Sequence, residues 1–147
     1  MSTAAPKKAR ADGQLSGLAG ELFVAAELLK RGLQTSITIG NAKGVDLLAY
    51  HPETKTSFAV QVKALRNRNY FLLSHKKVEP SHIYAFVLLN KPDQPVQYFI
   101  VPGSDLHSKP ERFSKWFIDP KMPGVHPKLL GELGYENAWH VFGPVTT

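Results

Sequence analysis

GVDLLAYHPETKTSFAVQVKAL, residues 44–65, is the stretch on which the fold turns. Two strand-forming runs, residues 45–50 and 57–64, flank the polar turn HPETK with its Pro52, the pattern of a β-hairpin. If His51 pairs with Thr56 across the turn, paired residue numbers keep a constant sum, and Asp46 falls opposite Gln61. Cross-strand neighbours have Cβ atoms about 5 Å apart, close enough for two oxygen-bearing side chains to share one ion. A slip of one residue would send them to opposite faces, so the turn carries the reading. Along FAVQVKAL, alternation puts Phe58, Val60, Val62 and Ala64 on one face and Ala59, Gln61 and Lys63 on the other. Gln61 and Lys63 then point together toward Asp46. A strand with one wet face has the same alternation, so the choice between the two rests on what surrounds it.

Upstream, residues 15–31 form the strongest helix signal. Ser16 is the expected N-cap, Gly32 closes the C-terminal end, and Lys30 and Arg31 lie where the helix dipole favours cations. On a helical wheel Leu18, Leu22, Ala25, Ala26 and Leu29 make one apolar arc, expected to face the core, with Glu27, Lys30 and Arg31 opposite. Glu21 sits at the edge of that arc. A lone buried carboxylate costs several kcal/mol unless a cation or donors meet it. The spacing alone leaves open a glutamate that reaches past the arc to solvent.

A short strand is expected at residues 35–39, a continuous apolar strand at 83–89 as in a sheet centre, a turn at KPDQP, and a further strand at 96–101. Beyond Pro102, Pro and Gly punctuate the chain, with short helices expected near 103–108, 110–117 and 127–134. No repeat and no second domain is seen. Residues 1–14 read as a flexible basic tail and 15–147 as one mixed α/β domain.

The chain has 147 residues, 43% of them hydrophobic and 20% charged, an ordinary globular balance. Eighteen Lys and Arg against twelve Asp and Glu leave a net charge of +6, which favours a polyanionic partner, nucleic acid or an acidic membrane surface. The absence of cysteine excludes disulfides, thiolate catalysis and zinc–thiolate sites. No apolar run approaches the ~18 residues that span a bilayer, and no apolar segment follows the basic N-terminus as in a secretory signal, so a cytoplasmic protein with no membrane partner is expected. The six histidines, His51, His75, His82, His107, His126 and His140, show no zinc-ligand spacing.

An acidic residue in the first helix, then Gly44-Val45-Asp46, then Gln61-Val62-Lys63 on the next strand resemble the PD-(D/E)XK nuclease superfamily. The resemblance extends to GLAGELFVAAELLKRG (residues 17–32), IYAFVLLN (83–90) and VQYFIVPGSDL (96–106). It is similar to the arrangement in Holliday-junction-resolvase-like and small homing-endonuclease-like members. It covers roughly residues 15–106 and implies a restriction-endonuclease-like mixed β-sheet flanked by helices. It also implies a magnesium-dependent endonuclease, with manganese able to substitute, that hydrolyses DNA phosphodiester bonds. Glu21, Asp46, Gln61 and Lys63 would be its catalytic residues. Asp46, the Gln61 side chain and the Val62 backbone carbonyl would bind the metal, with Glu21 acting directly or through a metal-bound water. Lys63 would orient and activate the attacking water and offset charge on the phosphate. Two positions depart from the family pattern. Val45 stands where a proline often precedes the aspartate, and Gln61 replaces the second acidic ligand. An amide oxygen still coordinates a hard cation but brings no formal charge, so magnesium binds more weakly.

The connection LRNRNYFLLSHKK, residues 65–77, supplies the candidate nucleic-acid grip: Arg66, Arg68, His75, Lys76 and Lys77, with Tyr70 and Phe71 as candidates for base stacking. A solvated loop with both aromatics in the core is the competing reading. Lys7, Lys8 and Arg10 could add salt-sensitive affinity. Trp116, Phe117, Tyr135 and Trp139 read as core cover or a subunit contact. Branched or duplex DNA is the expected partner, and relatives of this kind imply a homo-oligomer. The alternative is a nuclease-like fold that binds nucleic acid or a protein partner without cutting; Gln61 is the residue that favours it.

Overall fold

Three antiparallel strands, β1 (Gln34–Ile37), β2 (Leu47–His51) and β3 (Thr56–Leu65), open the sheet of the computed structural model, which describes residues 7–39 and 44–146. The hairpin has the expected register: His51 pairs with Thr56 and the ladder runs to Leu47 opposite Val60. His51 is fully buried and ties the turn down. Its Nδ1 accepts the Thr54 N–H at 3.1 Å and its Nε2 lies 2.6 Å from the Pro144 carbonyl, while Lys55 takes the left-handed φ of 57° that reverses the chain.

The chain then forms β4 (Phe71–Leu72) before returning as β5 (Ile83–Leu88), parallel to β3, with Gln61 at the level of Tyr84. β6 (Gln97–Pro102) runs antiparallel to β5, giving the order β1-β2-β3-β5-β6, and β7 (Gly124–Val125) pairs with β4 in a separate two-stranded ribbon. All six residues of β5 are buried, because both faces of the sheet are covered. On one face α1 (Lys7–Lys30) packs Val24 and Leu28 over Leu47, Val60, Ala85 and Ile100. On the other, Phe71, Tyr84, Phe86, Phe99, Phe113 and Phe117 build a second core beneath α2 (Gly103–Ser108) and α3 (Pro127–Glu132). The expected helix at 110–117 is instead two 3-10 turns, Pro110–Phe113 and Lys115–Ile118, broken by Ser114 at φ 91°.

Three further expectations are corrected. α1 begins at Lys7 rather than near residue 15, so residues 7–14 belong to the helix, and Ser16 is buried within it instead of capping it. Lys, Ala, Arg and Gln in this stretch are good helix formers, with only Asp12 and Gly13 weak against them. The side chains of residues 7–12, the basic ones among them, and all of residues 1–6 lie outside the described residues.

The second correction concerns which face of α1 is buried. Ser16, Gly20, Val24, Ala25 and Leu28 meet the sheet, whereas Leu15, Leu18, Leu22 and Leu29 are each 50–59% exposed. The small residues win that face because the helix comes very close to β3: a Cβ on Gly20 would stand 2.5 Å from the Ala64 Cβ. Third, Phe71 is buried against Phe86, ring centroids 5.1 Å apart, and is not available to stack on a base. Among the described residues no helix is long and apolar enough to cross a membrane.

Candidate active site

The site forms where β2 and β3 splay apart at the open end of the hairpin. Below Leu47 the regular ladder stops, and Asp46 does not pair with Gln61 as a strand neighbour. Its N–H donates to the Val60 carbonyl at 2.9 Å, and its Oδ2 accepts the Val62 N–H at 2.7 Å. The carboxylate thus takes the place of a backbone acceptor, which fixes it against β3. A strand residue turns its N–H and C=O toward the same edge, so the Val62 carbonyl faces the Asp46 side as well. Thr38 holds the other flank: its N–H donates to the Asp46 carbonyl at 3.0 Å and its hydroxyl to the Val45 carbonyl at 2.6 Å.

Gln61 is only 7% exposed and its amide is oriented from beneath. Nε2 donates to the Tyr84 hydroxyl at 3.0 Å and lies 3.0 Å from His82 Nδ1, the acceptor in that contact. The Tyr84 hydroxyl also accepts the Glu79 N–H at 2.9 Å, and burial raises the tyrosine pKa above its ordinary value, keeping it neutral. With the nitrogen committed to two partners, the amide oxygen is the end a cation would meet. Gly44 lies over this amide at φ +71°, and a Cβ there would come 3.2 Å from Nε2, so the close approach and the backbone conformation both call for glycine.

Glu21 reaches the site from α1. Its pKa is raised, first by burial and second by the negative charge of Asp46. Two carboxylates that repel each other mark a place short of positive charge, and a divalent cation would supply it. Among the described residues no three His, Cys, Asp or Glu side chains cluster as a metal site. The donors here are two carboxylates, an amide and a backbone carbonyl, all hard oxygens, and they fit magnesium better than a softer ion.

Lys63, next on the same face of β3, lines a cleft of about 540 Å³ together with Gly44, Gln61, Lys77, Lys121 and Met122. Of the expected nucleic-acid residues, Lys77 therefore joins the cleft. Lys76 is exposed beside it, and Arg66 and Arg68 are exposed beyond the C-terminal end of β3. Arg68 lies near His126, whose pKa is lowered first by burial and then by Arg68 and Lys128. His75 is turned the other way, with Nε2 2.9 Å from the His107 carbonyl and its ring 5.7 Å from that of Phe117. Sequence reasoning missed His82, Tyr84 and Lys121. A tyrosine inside an all-buried strand is a signal, since its hydroxyl needs a partner. Lys121 carries none, because only the pairing of β7 with β4 brings that loop to the site.

No protein-family model and no curated protein matches the sequence. Solved structures do. A Holliday junction resolvase, Hjc, from Archaeoglobus fulgidus superposes with a TM-score of 0.57 at 19% identity, over 89% of this chain and 98% of that one. A bacterial homing endonuclease, I-Ssp6803I, superposes with a TM-score of 0.51 at 15% identity, over 88% of this chain and 91% of that one. A five-stranded mixed sheet flanked by helices, shared with both over almost their whole lengths, makes this a single domain with the restriction-endonuclease-like nuclease fold.

Proposed function

We propose that the protein is a magnesium-dependent endonuclease that hydrolyses DNA phosphodiester bonds and leaves a 5′-phosphate. The observation that carries this reading is the bond from the Val62 N–H to the Asp46 carboxylate, which fixes Asp46 to β3 between the two residues, Gln61 and Lys63, that line the cleft, with Glu21 close enough for Asp46 to raise its pKa. Asp46, the Gln61 oxygen and the Val62 carbonyl would hold the cation, with Glu21 on the side of α1. A bound magnesium ion would act as Lewis acid and as template for in-line displacement. Lys63 places a positive charge beside the scissile phosphate, orients the attacking water and offsets the charge that grows on the phosphoryl oxygens. Lys77 and Lys121 hold the flanking phosphates. DNA, rather than a membrane, is the polyanion that a +6 chain with this site meets, in the cytoplasm. A second copy of the chain covers the exposed leucines of α1, giving the homo-oligomer that two-strand cleavage calls for.

One observation favours a second reading, a nuclease fold that binds without cutting. The Gln61 amide adds no charge to the metal site and is already hydrogen-bonded to Tyr84 and His82. Cleavage of supercoiled, linear, single-stranded and four-way-junction DNA, with magnesium and with manganese, separates the two. Cutting that needs the metal and vanishes in Lys63→Ala supports the enzyme. Metal-independent, salt-sensitive binding with no cutting of any substrate moves the assignment to the binder.

A further inference from the structure

The ribbon of β4 and β7 is apolar on both of its faces. Phe71, Leu73 and Val125 point into the second core, as a covering ribbon should. Alternation then sends Leu72 to the outside, with Met122 on the same outer face two residues before Gly124, the residue Leu72 pairs with. Leu72 is 67% exposed and Met122 72%. Gly124 leaves room that Tyr70 fills, its Cβ lying 3.1 Å from where a Gly124 Cβ would be, so a half-exposed aromatic stands beside the pair. Single exposed leucines are ordinary. Here two flexible apolar side chains share one wall of the cleft that also holds Lys63, Lys77 and Lys121.

An apolar pair ringed by cations suits a ligand that is charged at its edge and flat and apolar inside. A nucleic-acid strand has that character: phosphates meet the lysines, and the faces of the bases meet Leu72 and Met122. We propose that Leu72 and Met122 form a wedge that enters the base stack beside the phosphate held at Lys63. The inference rests on the nuclease reading and deepens it by naming a feature of the substrate. Inserting apolar side chains between base steps costs stacking, and least where the stack is already broken. The protein therefore prefers DNA with a mismatch, bulge, fork or branch near the scissile bond over continuous duplex, without reading sequence there.

The test uses the full chain in chelator, where nothing is cut, and short duplexes carrying 2-aminopurine at successive positions, either fully paired or beside a mismatch. Binding is followed by anisotropy of an end label and unstacking by 2-aminopurine emission. The expected result is a several-fold rise in emission at one or two positions and affinity about tenfold tighter for the mismatched duplex. The double variant Leu72→Ser/Met122→Ser should bind paired duplex within about threefold of the parent while losing the emission rise and the mismatch preference. Both side chains are exposed, and an unchanged thermal melt confirms that the variant is folded. Wild-type binding with no rise, or a variant that keeps it, overturns the wedge while leaving the nuclease reading intact. No DNA binding even at low salt overturns both, and the apolar ribbon then belongs to a protein contact.

Discussion

Asp46 and Glu21 are two carboxylates close enough for the charge of the first to raise the pKa of the second. Burial and the neighbouring Asp46 raise the Glu21 pKa above 4.5, so folding favours its protonated form. The stabilisation from such a group is full below its ordinary value and is lost as pH climbs through the raised one. In chelator, Glu21→Gln should therefore melt with the parent near about pH 4 and above it near about pH 8, and magnesium should close the gap. A difference in melting temperature that is the same at both pH values would separate Glu21 from Asp46 and from the metal. Gln61→Glu acts in the opposite sense. A third formal charge should tighten magnesium about tenfold in a calorimetric titration, since ligand charge sets affinity at oxygen sites. Tyr84 can donate to the new carboxylate, but His82 must then present an N–H to it. Unchanged affinity would take Gln61 out of the ligand set. Both positions were singled out in the sequence, but most of the arc beside Glu21 faces solvent, and the ladder that was to set Asp46 opposite Gln61 ends at Leu47 and Val60. The supports of Gln61 were not legible, because His82 and Tyr84 meet it only through the parallel pairing of β3 with β5.

At the scale of elements, strands were the easier reading. Period-2 alternation and the HPETK turn leave one register, and the five strands of the main sheet lie within two residues of those expected, whereas the short β4 and β7 were not expected. Helix α1 was harder because it is apolar on both sides, and the bulkier side was expected to be the inner one. Contact distance decides instead. With a Gly20 Cβ position 2.5 Å from Ala64, Gly20→Ala should lower stability by about 1–3 kcal/mol through overpacking, even though alanine is the better helix former. A denaturant midpoint equal to or above that of the parent would show that α1 can shift outward without cost. The leucines left outside recur at helical spacing, 15, 18, 22 and 29, with Ala26 exposed among them and no charge in the stripe. At about half exposure each leaves roughly 100 Å² in water, a stripe of about 400 Å², the size of the largest apolar patch on a typical monomer, which is often functional. A two-fold pairing of α1 with its copy would bury about twice that, toward the low end of stable dimers once flanking residues are added. Leu18→Glu/Leu22→Glu should turn an oligomer into a folded monomer by light scattering. A parent that is monomeric at the same concentration would assign the stripe to another partner.

For the whole molecule, the question is how a net charge of +6 is spread, because charge sets attraction at a distance while the cleft sets where it is spent. Three lysines reach the cleft from three separate places: Lys63 from β3, Lys77 from the 3-10 turn His75–Lys77, and Lys121 from the loop before β7. Their convergence is a property of the fold and not of any segment, so a basic loop could be read from the sequence and this arrangement could not. It also makes Lys121 the sharpest test of how nucleic acid lies on the surface. Each duplex phosphate neutralised releases counterions and adds about −0.9 to the slope of log affinity against log salt. Binding in chelator should then show a slope of about −3 from the cleft alone, steeper with Lys76 and Arg68 engaged. Lys121→Ala should make the slope shallower by about one and weaken paired and mismatched duplexes alike, because a phosphate contact carries no base information. Arg112→Ala, a change at an exposed cation on the α2 side of the second core, serves as the control and should leave the slope unaltered. Equal slopes for the parent and Lys121→Ala would mean that DNA does not run along the β4–β7 side of the cleft. An equal loss from Arg112→Ala would mean that it binds by overall charge alone.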